Sequence, residues 1–512
     1  MSSLLRSLRH HSPAMLRAIA ETNGIELVGN QPRQMQTQLA AELSEAAHLR
    51  AAVAACSLAA QAALAALQQA GGRSLRSAFE RRFGVIRPAG PGKLERERPH
   101  LAPVTAAEEL WYRGLIYAAF AETADGLAEF LYLPDTLAEQ LPPPPPVADA
   151  FPPAPLVEQT AQVMPQIVLH NLGTLLCLVQ AGQVWLLPGD DLLQWQNRSL
   201  YEYAQVMLHA PAAAFSSSQP FDPASTASSA ALALTLAAEM GWLRRRGRQA
   251  GLHAARVRTW LEQPQPEQQC LLLDAWTAST RWNDLCRVPA LACEQTGSWS
   301  NDPAATRRNF LSLLAVLQPA SWYSLDDLAA AIRIHAPDFQ RPGGNYDTWY
   351  VRRRHDGEFL RGFDHWDEVE GALLRFMLTG PLAWLGAVEL DQMAAPAAFR
   401  LSAAGAAWLH GHAPPAAAEP AALVVAADFS VRASLAVPLL DRFRLARFTT
   451  WQAPEPQDEA PVFRYRISQS GLQRAARHGI SVAQVLDFLR QRAAVLPDNV
   501  TRALENYDLR AK

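Results

Sequence analysis

The sequence predicts an α+β chain of several domains, on three observations. First, 512 residues with 49% hydrophobic content supply packed cores and the length of roughly three or four ordinary domains. Second, helical spacing of apolar residues gives way in two places to turn-separated extended runs, the pattern of helices followed by a two-stranded hairpin. Third, stretches dominated by Pro and Ala break these patterns and read as linkers. The division is a helical winged-helix-like domain over 1–140, a Pro-rich linker over 141–156 and a mixed, mainly helical middle domain over 157–300. A winged-helix domain over 301–412, a linker over 413–420 and a mixed α/β domain over 421–512 follow.

In the first domain, Ser12-Pro13 opens a helix, because proline fits the first turn. Leu49 to Ala70 carries one or two more, and Gly71-Gly72 makes a turn. Ser74 to Phe83 reads as a short helix, and Thr105 and Glu108 form a capping box. Leu115–Phe120 and Leu127–Leu133 form a hairpin. Pro142 to Pro146 has no backbone donors and reads as an extended spacer or a ligand for a proline-reading domain. Beyond it, Leu175–Val179 and Val184–Leu187 flank Ala181-Gly182 as a hairpin. The Ser/Ala stretch 211–230 is a loop or weak helix, and helices cover Ala231–Leu243 and Glu267–Thr277.

From 301 to 412, Asp302-Pro303 starts a helix carrying Phe310, Leu313, Leu314 and Leu317. Ser324 caps a second helix, which ends before Pro337. Asp364 caps a third, with Trp366, Val369, Leu373 and Phe376 on one stripe, and Gly380-Pro381 ends it. Trp384–Leu390 and Phe399–Leu401 are the strands of a wing. In the last domain, Leu423–Ala427, Phe429–Val431, Arg447–Trp451 and Val462–Ile467 are extended, with a helix carrying Leu439, Leu440 and Phe443 among them. Ser468 caps a helix that stops at Gly479. Ser481 and Gln484 form a capping box, Ile480 and Val485 a hydrophobic staple, and Val485, Leu486 and Leu489 a buried stripe. Pro497 breaks that helix, and Asp498 caps a final one. Phe399-Arg400-Leu401-Ser402-x-x-Gly405 echoes Tyr465-Arg466-Ile467-Ser468-x-x-Gly471, which reads as one strand-to-helix joint used twice.

The order of these C-terminal elements, with "VVAADFSV", "YRISQSGLQRAARHG" and "VLDFLRQRAAVLPDNV", resembles a bacterial helicase-associated family. Its domain is similar to the N-terminal domain of XPB-type DNA repair helicases. The family usually has Thr-x-x-Ser where Ser468 and Gly471 stand here; Ser468 keeps the capping oxygen, while the second hydroxyl is lost. The resemblance covers roughly the last fifth of the chain. It implies a non-catalytic module working around DNA, with a helicase or a repair or transcription protein as partner. A winged-helix chain ending in such a domain also resembles, in layout alone, the TFIIH core subunit that clutches XPB.

The formal net charge of −3 argues against indiscriminate coating of nucleic acid, so any DNA contact must come from local basic patches. Lysine occurs only at Lys93 and Lys512, and arginine carries the remaining positive charge. Five cysteines, widely spaced and without a C-x-x-C pair, argue against disulfides and zinc ribbons. The N-terminus has Arg and His where a signal peptide is apolar, and no run suits a membrane span, so the expected compartment is cytoplasmic, with no membrane partner. Gly90-Pro91-Gly92-Lys93-Leu94 lacks the upstream glycine and the hydroxyl of a phosphate loop. Trp366-Asp367-Glu368 falls inside a helical stripe rather than at a strand end, as a solvated face. His355-Asp356, Asp364-His365-Trp366-Asp367 and His410-Gly411-His412 offer no recognised three-ligand spacing. The expectation is therefore no catalysis and no cofactor.

Three basic clusters point to phosphate. One surrounds the short helix as a recognition helix would lie: Arg73, Arg76, Arg81, Arg82 and Arg87. The second is Arg244, Arg245, Arg246 and Arg248. In the third, Trp349 and Tyr350 precede Arg352, Arg353 and Arg354, so aromatics could stack bases. Solvated faces or internal ion pairs are the plain alternative for each. The third helix of the 301–412 domain is acidic (Asp364, Asp367, Glu368, Glu370 against Arg375) and would repel phosphate. In the strand Val462–Ile467, Arg464 and Arg466 share one face, able to meet a partner's carboxylates, phosphates, or the chain's own acidic loop 455–459. The expected function is a DNA-associated accessory protein; the alternative is an interaction scaffold without nucleic-acid affinity.

Overall fold

The computed structural model describes residues 3–123, 126–142, 152–156, 166–206, 229–294, 301–341, 344–391, 396–452 and 461–511. The chain is mixed α+β with several small sheets. It divides into two units, Met1–Phe151 with Ala336–Thr348, and Pro152–His335 with Trp349–Lys512. The proline run over 143–146, the acidic loop 455–459 and most of the Ser/Ala stretch, 211–228, lie outside the described residues.

In the first unit, Ser12 accepts the Met15 N–H at the head of the helix Pro13–Thr22, as its spacing predicts. Leu16, Ile19, Leu39, Leu64 and Leu110 bury the apolar stripes of the helices in one core, joined by Ile116 just before β2. Gly71 and Gly72 take positive φ and turn the chain into β1 (Arg73–Leu75). The helix expected from Ser74 therefore starts later, as Arg76–Phe83, because Ser74 and Leu75 are claimed by the sheet. β2 (Tyr117–Thr123) and β3 (Gly126–Tyr132) make the expected hairpin, and the antiparallel order is β1-β3-β2.

In the second unit, the expected hairpin strand Leu175–Val179 is instead part of the helix Ile167–Gln180. Every residue from Ile167 to Val179 is buried. A helix apolar on all sides has no polar face to mark its period, so its short apolar pieces mimic strands. The helix expected over Ala231–Leu243 stops at Glu239, and Leu243 opens β4 (Leu243–Arg246), paired with β5 (Gln249–Leu252) through a turn at Gly247. The segment around Trp185 and Leu186 lies along the other edge of β5, held by the Leu186 N–H on the Arg248 carbonyl at 2.8 Å and the Ala250 N–H on the Val184 carbonyl at 3.0 Å.

β6 (Leu291–Cys293) precedes the helix Pro303–Leu314, which Asp302 caps as expected. β7 (Tyr323–Ser324) runs into the helix Leu325–His335, and β8 (Val351–Arg353) pairs with β6. Asp364 lies in a 3-10 turn rather than at a cap. The helical run that follows carries a π-type turn at Asp367–Gly371 and breaks at Gly380-Pro381, where the expected helix ends. Gly380, at φ −102 and ψ −108, leaves helical geometry and makes room for the proline ring. Trp384, expected in a strand, lies in the helical turn after this kink, and the strands are β9 (Val388–Leu390), shorter than expected, and β10 (Ala398–Leu401), in the order β7-β10-β9. Apart from β8, which pairs with β6 in a separate sheet, the order helix, strand, helices, strand, strand matches that of the first unit, with the first strand of the sheet again beside the last.

The C-terminal sheet joins β11 (Val424–Val425), β12 (Ser430–Ser434), β13 (Thr449–Gln452) and β14 (Val462–Ile467) in the antiparallel order β11-β12-β14-β13. Phe463, Tyr465 and Ile467 face the core with Leu472, Val485 and Leu489, as the alternation predicts. Both bonds of the Ser481–Gln484 capping box form. The echoed joint is used twice. Ser402 accepts the Gly405 N–H at 2.9 Å and Ser468 accepts the Gly471 N–H at 3.1 Å. In both, a Cβ on the glycine would overlap a backbone carbonyl, of Ala387 or of Phe448.

Candidate nucleic-acid interface

Five of the twelve arginines in the three basic clusters are neutralised by carboxylates. Arg76 bonds Glu80 at 2.8 Å and Glu129 at 3.0 Å. Arg81 lies on Asp338 at 2.5 Å, donates to the Gly344 carbonyl at 2.8 Å and covers the Tyr346 ring. Arg87 grips the buried Glu108 with two nitrogens, at 2.5 and 2.8 Å. Burial pushes the Glu108 carboxyl up, but the bonds from Arg87 and from the Val104 N–H outweigh it and hold it below the usual carboxylate range. The same carboxylate reaches Val104 rather than closing a capping box onto Thr105.

In the third cluster, Arg352 pairs with Glu294 at 2.6 Å and covers the Phe359 ring at 3.7 Å. Arg353 meets Asp356, Glu358 and Glu368 at 2.9, 2.6 and 2.7 Å. Arg354 donates to the carbonyls of Pro289 and Leu291 at 2.9 and 2.6 Å. The acidic helix thus neutralises part of the basic cluster, Glu368 serving Arg353, while Asp367 serves Arg333 of the helix Leu325–His335. A guanidinium already paired this closely gains little from a phosphate.

Arg73 and Arg82 stay exposed, stacked over Phe130 at 5.2 Å and Phe83 at 4.9 Å. Arg73 lines a groove of about 1010 Å³ together with His10, His11, Phe120 and Phe130.

The second cluster folds differently from the other two. It is the β4–β5 hairpin. Arg245 uses its guanidinium on the Leu187 carbonyl at 3.0 Å. Among the described residues, Arg244, Arg246 and Arg248 have no carboxylate in ion-pair contact; Arg246 and Arg248 are exposed. Register puts Arg246 opposite Gln249, and Gln249 opposite Trp185. Alternation then places Arg244 on the same face. Gly251 is what lets this face close: a Cβ there would meet the Arg246 Cδ at 2.8 Å. Trp185 is 41% exposed, and the pairing puts it on the same face as Arg244 and Arg246, across β5 from them, an aromatic surface on the face that carries the phosphate donors. The sequence reading missed Trp185, which only the pairing across β5 brings to the hairpin.

On the C-terminal sheet, Arg464 and Arg466 lie on the outer face of β14, away from the core, as expected. Arg432, opposite Arg464 on β12, adds a third guanidinium. Like charges directly across a strand pair repel, which favours an anionic neighbour. Arg464 is also engaged elsewhere in the chain.

The histidine near-neighbours form no ligand set among the described residues: His365 bonds Glu368 at 2.8 Å, and the rings of His410 and His412 are 5.9 Å apart. One trio, Glu42, Glu45 and His48, gathers its ligand atoms within 4.8 Å, on partly exposed side chains. No described helix is long and apolar enough to cross a membrane. Models of known protein families give no match to this chain, and a search of curated proteins finds no similar sequence.

Proposed function

We propose that this chain is a DNA-associated accessory protein that acts by binding rather than by catalysis, and that the β4–β5 hairpin is its nucleic-acid contact. The observation that carries the reading is the set Arg244, Arg246 and Arg248, uncompensated among the described residues, with the exposed Trp185 paired to the far edge of the same hairpin. Three guanidinium groups without carboxylate partners attract phosphate, and an exposed indole stacks on an unpaired base. The helix, strand, helices, strand, strand succession with a first-beside-last sheet, interrupted in the second unit by β8 of a separate sheet, supports the two winged-helix assignments. The four-stranded sheet followed by three helices supports the reading of 421–512 as a domain similar to the N-terminal domain of XPB-type helicases, offering Arg432, Arg464 and Arg466 to the carboxylates of a helicase or a repair or transcription partner.

A second reading, an interaction scaffold without nucleic-acid affinity, is favoured by the internal neutralisation of Arg76, Arg81, Arg87, Arg352 and Arg353. A titration of labelled single- and double-stranded DNA at two salt concentrations separates the two. Affinity that falls with salt, and falls again in an Arg244→Ala, Arg246→Ala, Arg248→Ala variant, supports the first.

A further inference from the structure

We propose that a small cavity, where the end of the helix Ile167–Gln180 meets the C-terminal domain, is a binding site for phosphate, as the free ion or a monoester. Arg447, Arg474 and His478 line it together with Gln180, and no acidic residue among the described ones does. Its volume is about 40 Å³, the space of about three waters. That admits one small oxyanion and leaves any sugar or base outside. The chain leaves the helix Leu439–Leu445 in a turn, the Arg447 N–H on the Arg444 carbonyl at 3.2 Å, before β13 begins at Thr449. Arg474 lies in the helix Gln469–Arg477, four residues before His478, so the two share one side of it. The His478 Nδ1 donates to the Arg474 carbonyl at 3.0 Å.

The two arginines differ in what they already hold. Arg474 Nη2 donates to the Ala446 and Thr449 carbonyls at 3.2 and 2.5 Å, which fixes the guanidinium across the turn, while its buried Nε has no partner. Arg447 is half-buried, and its side chain has neither hydrogen bond nor ion pair among the described residues. Other half-buried arginines of this chain, Arg76, Arg81 and Arg353, each end on a carboxylate. Burial, then the charge of Arg444, lowers Arg447, and burial, then Arg477, lowers Arg474, with no carboxylate acting on either. A cation withdrawn from water without a counter-charge is destabilising, and a dianion matches two guanidinium charges. The Gln180 Oε1 is buried without a partner, and turning that amide over replaces the oxygen with an N–H₂ donor. Phosphate brings several acceptor oxygens to such convergent donors, which suits the guanidinium fork. The cavity shares no residue with the β4–β5 hairpin, so the two sites are tested apart.

The test is equilibrium dialysis of the full chain against radiolabelled inorganic phosphate, at an ionic strength held constant with chloride. The expected result is saturable binding of one phosphate per chain. Glycerol phosphate that displaces the label identifies a monoester as the ligand; displacement by unlabelled phosphate alone identifies the free ion. Arg447→Gln removes a side chain without a partner in the fold, and it is expected to lower the affinity by about tenfold or more. Arg447→Lys keeps the charge without the fork and is expected to fall between that variant and wild type. The Arg244→Ala, Arg246→Ala, Arg248→Ala variant is expected to bind phosphate as wild type does. Absence of saturable binding by the wild type, wild-type affinity in both Arg447 variants, or loss of binding in the hairpin variant would overturn the proposal.

Discussion

Replacing Asp284 by Ala should be among the most damaging single changes in the second unit. Its carboxylate accepts from Arg307 Nε at 2.6 Å and from the indole N–H groups of Trp276 at 3.2 Å and Trp282 at 2.8 Å. Arg307, whose side chain is 0% exposed, also donates to the carbonyls of Trp276 and Ser279 at 2.7 and 2.6 Å and to that of Trp282. The substitution strands a buried cation, which costs about 3–5 kcal/mol when one partner of a buried pair is removed. It also orphans two indole donors, at about 1–3 kcal/mol each. These costs share one cavity and do not add fully, so the expected loss is at least about 3 kcal/mol. Urea unfolding followed by tryptophan fluorescence measures it, and Arg307→Met in the Asp284→Ala background should recover part by removing the stranded charge. A loss below about 1 kcal/mol, the range of exposed pairs, would refute the reasoning by showing that the pair is solvated.

Other outcomes follow from the same contacts. Burial, then the nearby Arg442 charge, lowers His170 to about 3, against 6.5 when unperturbed. The folded state therefore refuses a proton that the unfolded state accepts, and stability falls as pH drops from 6.5 towards 3, by about 2 kcal/mol at pH 5. His170→Asn should flatten the difference between urea midpoints at pH 7 and pH 5, and an unchanged difference would show that another group is responsible. Gly405→Ala and Gly471→Ala should each destabilise by about 1–3 kcal/mol, because the added methyl overlaps a carbonyl that is part of the fold; a wild-type midpoint would mean that the joint yields. An Arg464→Ala, Arg466→Ala pair that folds normally should recover less partner in a pull-down, and equal recovery would exclude this sheet face as the docking surface.

What was legible in the sequence were features fixed by neighbours in the chain. Ser12, Asp302 and Ser481 cap the helices they precede because capping needs only the next turn. The alternation of β14 marks its buried face, and Ser402/Gly405 with Ser468/Gly471 marks one joint twice. The arginine clusters were legible as charge but not as surface, because their partners are remote: Glu108 is 21 residues from Arg87, and Asp338 is 257 from Arg81. Trp185 reaches the hairpin through folding that no local spacing encodes. The helix Ile167–Gln180 was misread because complete burial erases the period that would identify it.

The most direct test of the DNA-contact account is the salt dependence of DNA binding in wild type and in the Arg244→Ala, Arg246→Ala, Arg248→Ala variant, measured by fluorescence anisotropy. Each phosphate contact on duplex DNA contributes about 0.9 to the slope of log K against log salt, so the variant should lose up to about 2.7. Arg81→Ala and Arg353→Ala, whose guanidinium groups are already paired, should leave the slope unchanged. Trp185→Ala should weaken single-stranded binding while leaving that slope in place. A wild-type slope in the hairpin variant, or no salt-dependent binding by the wild type at all, would contradict the account.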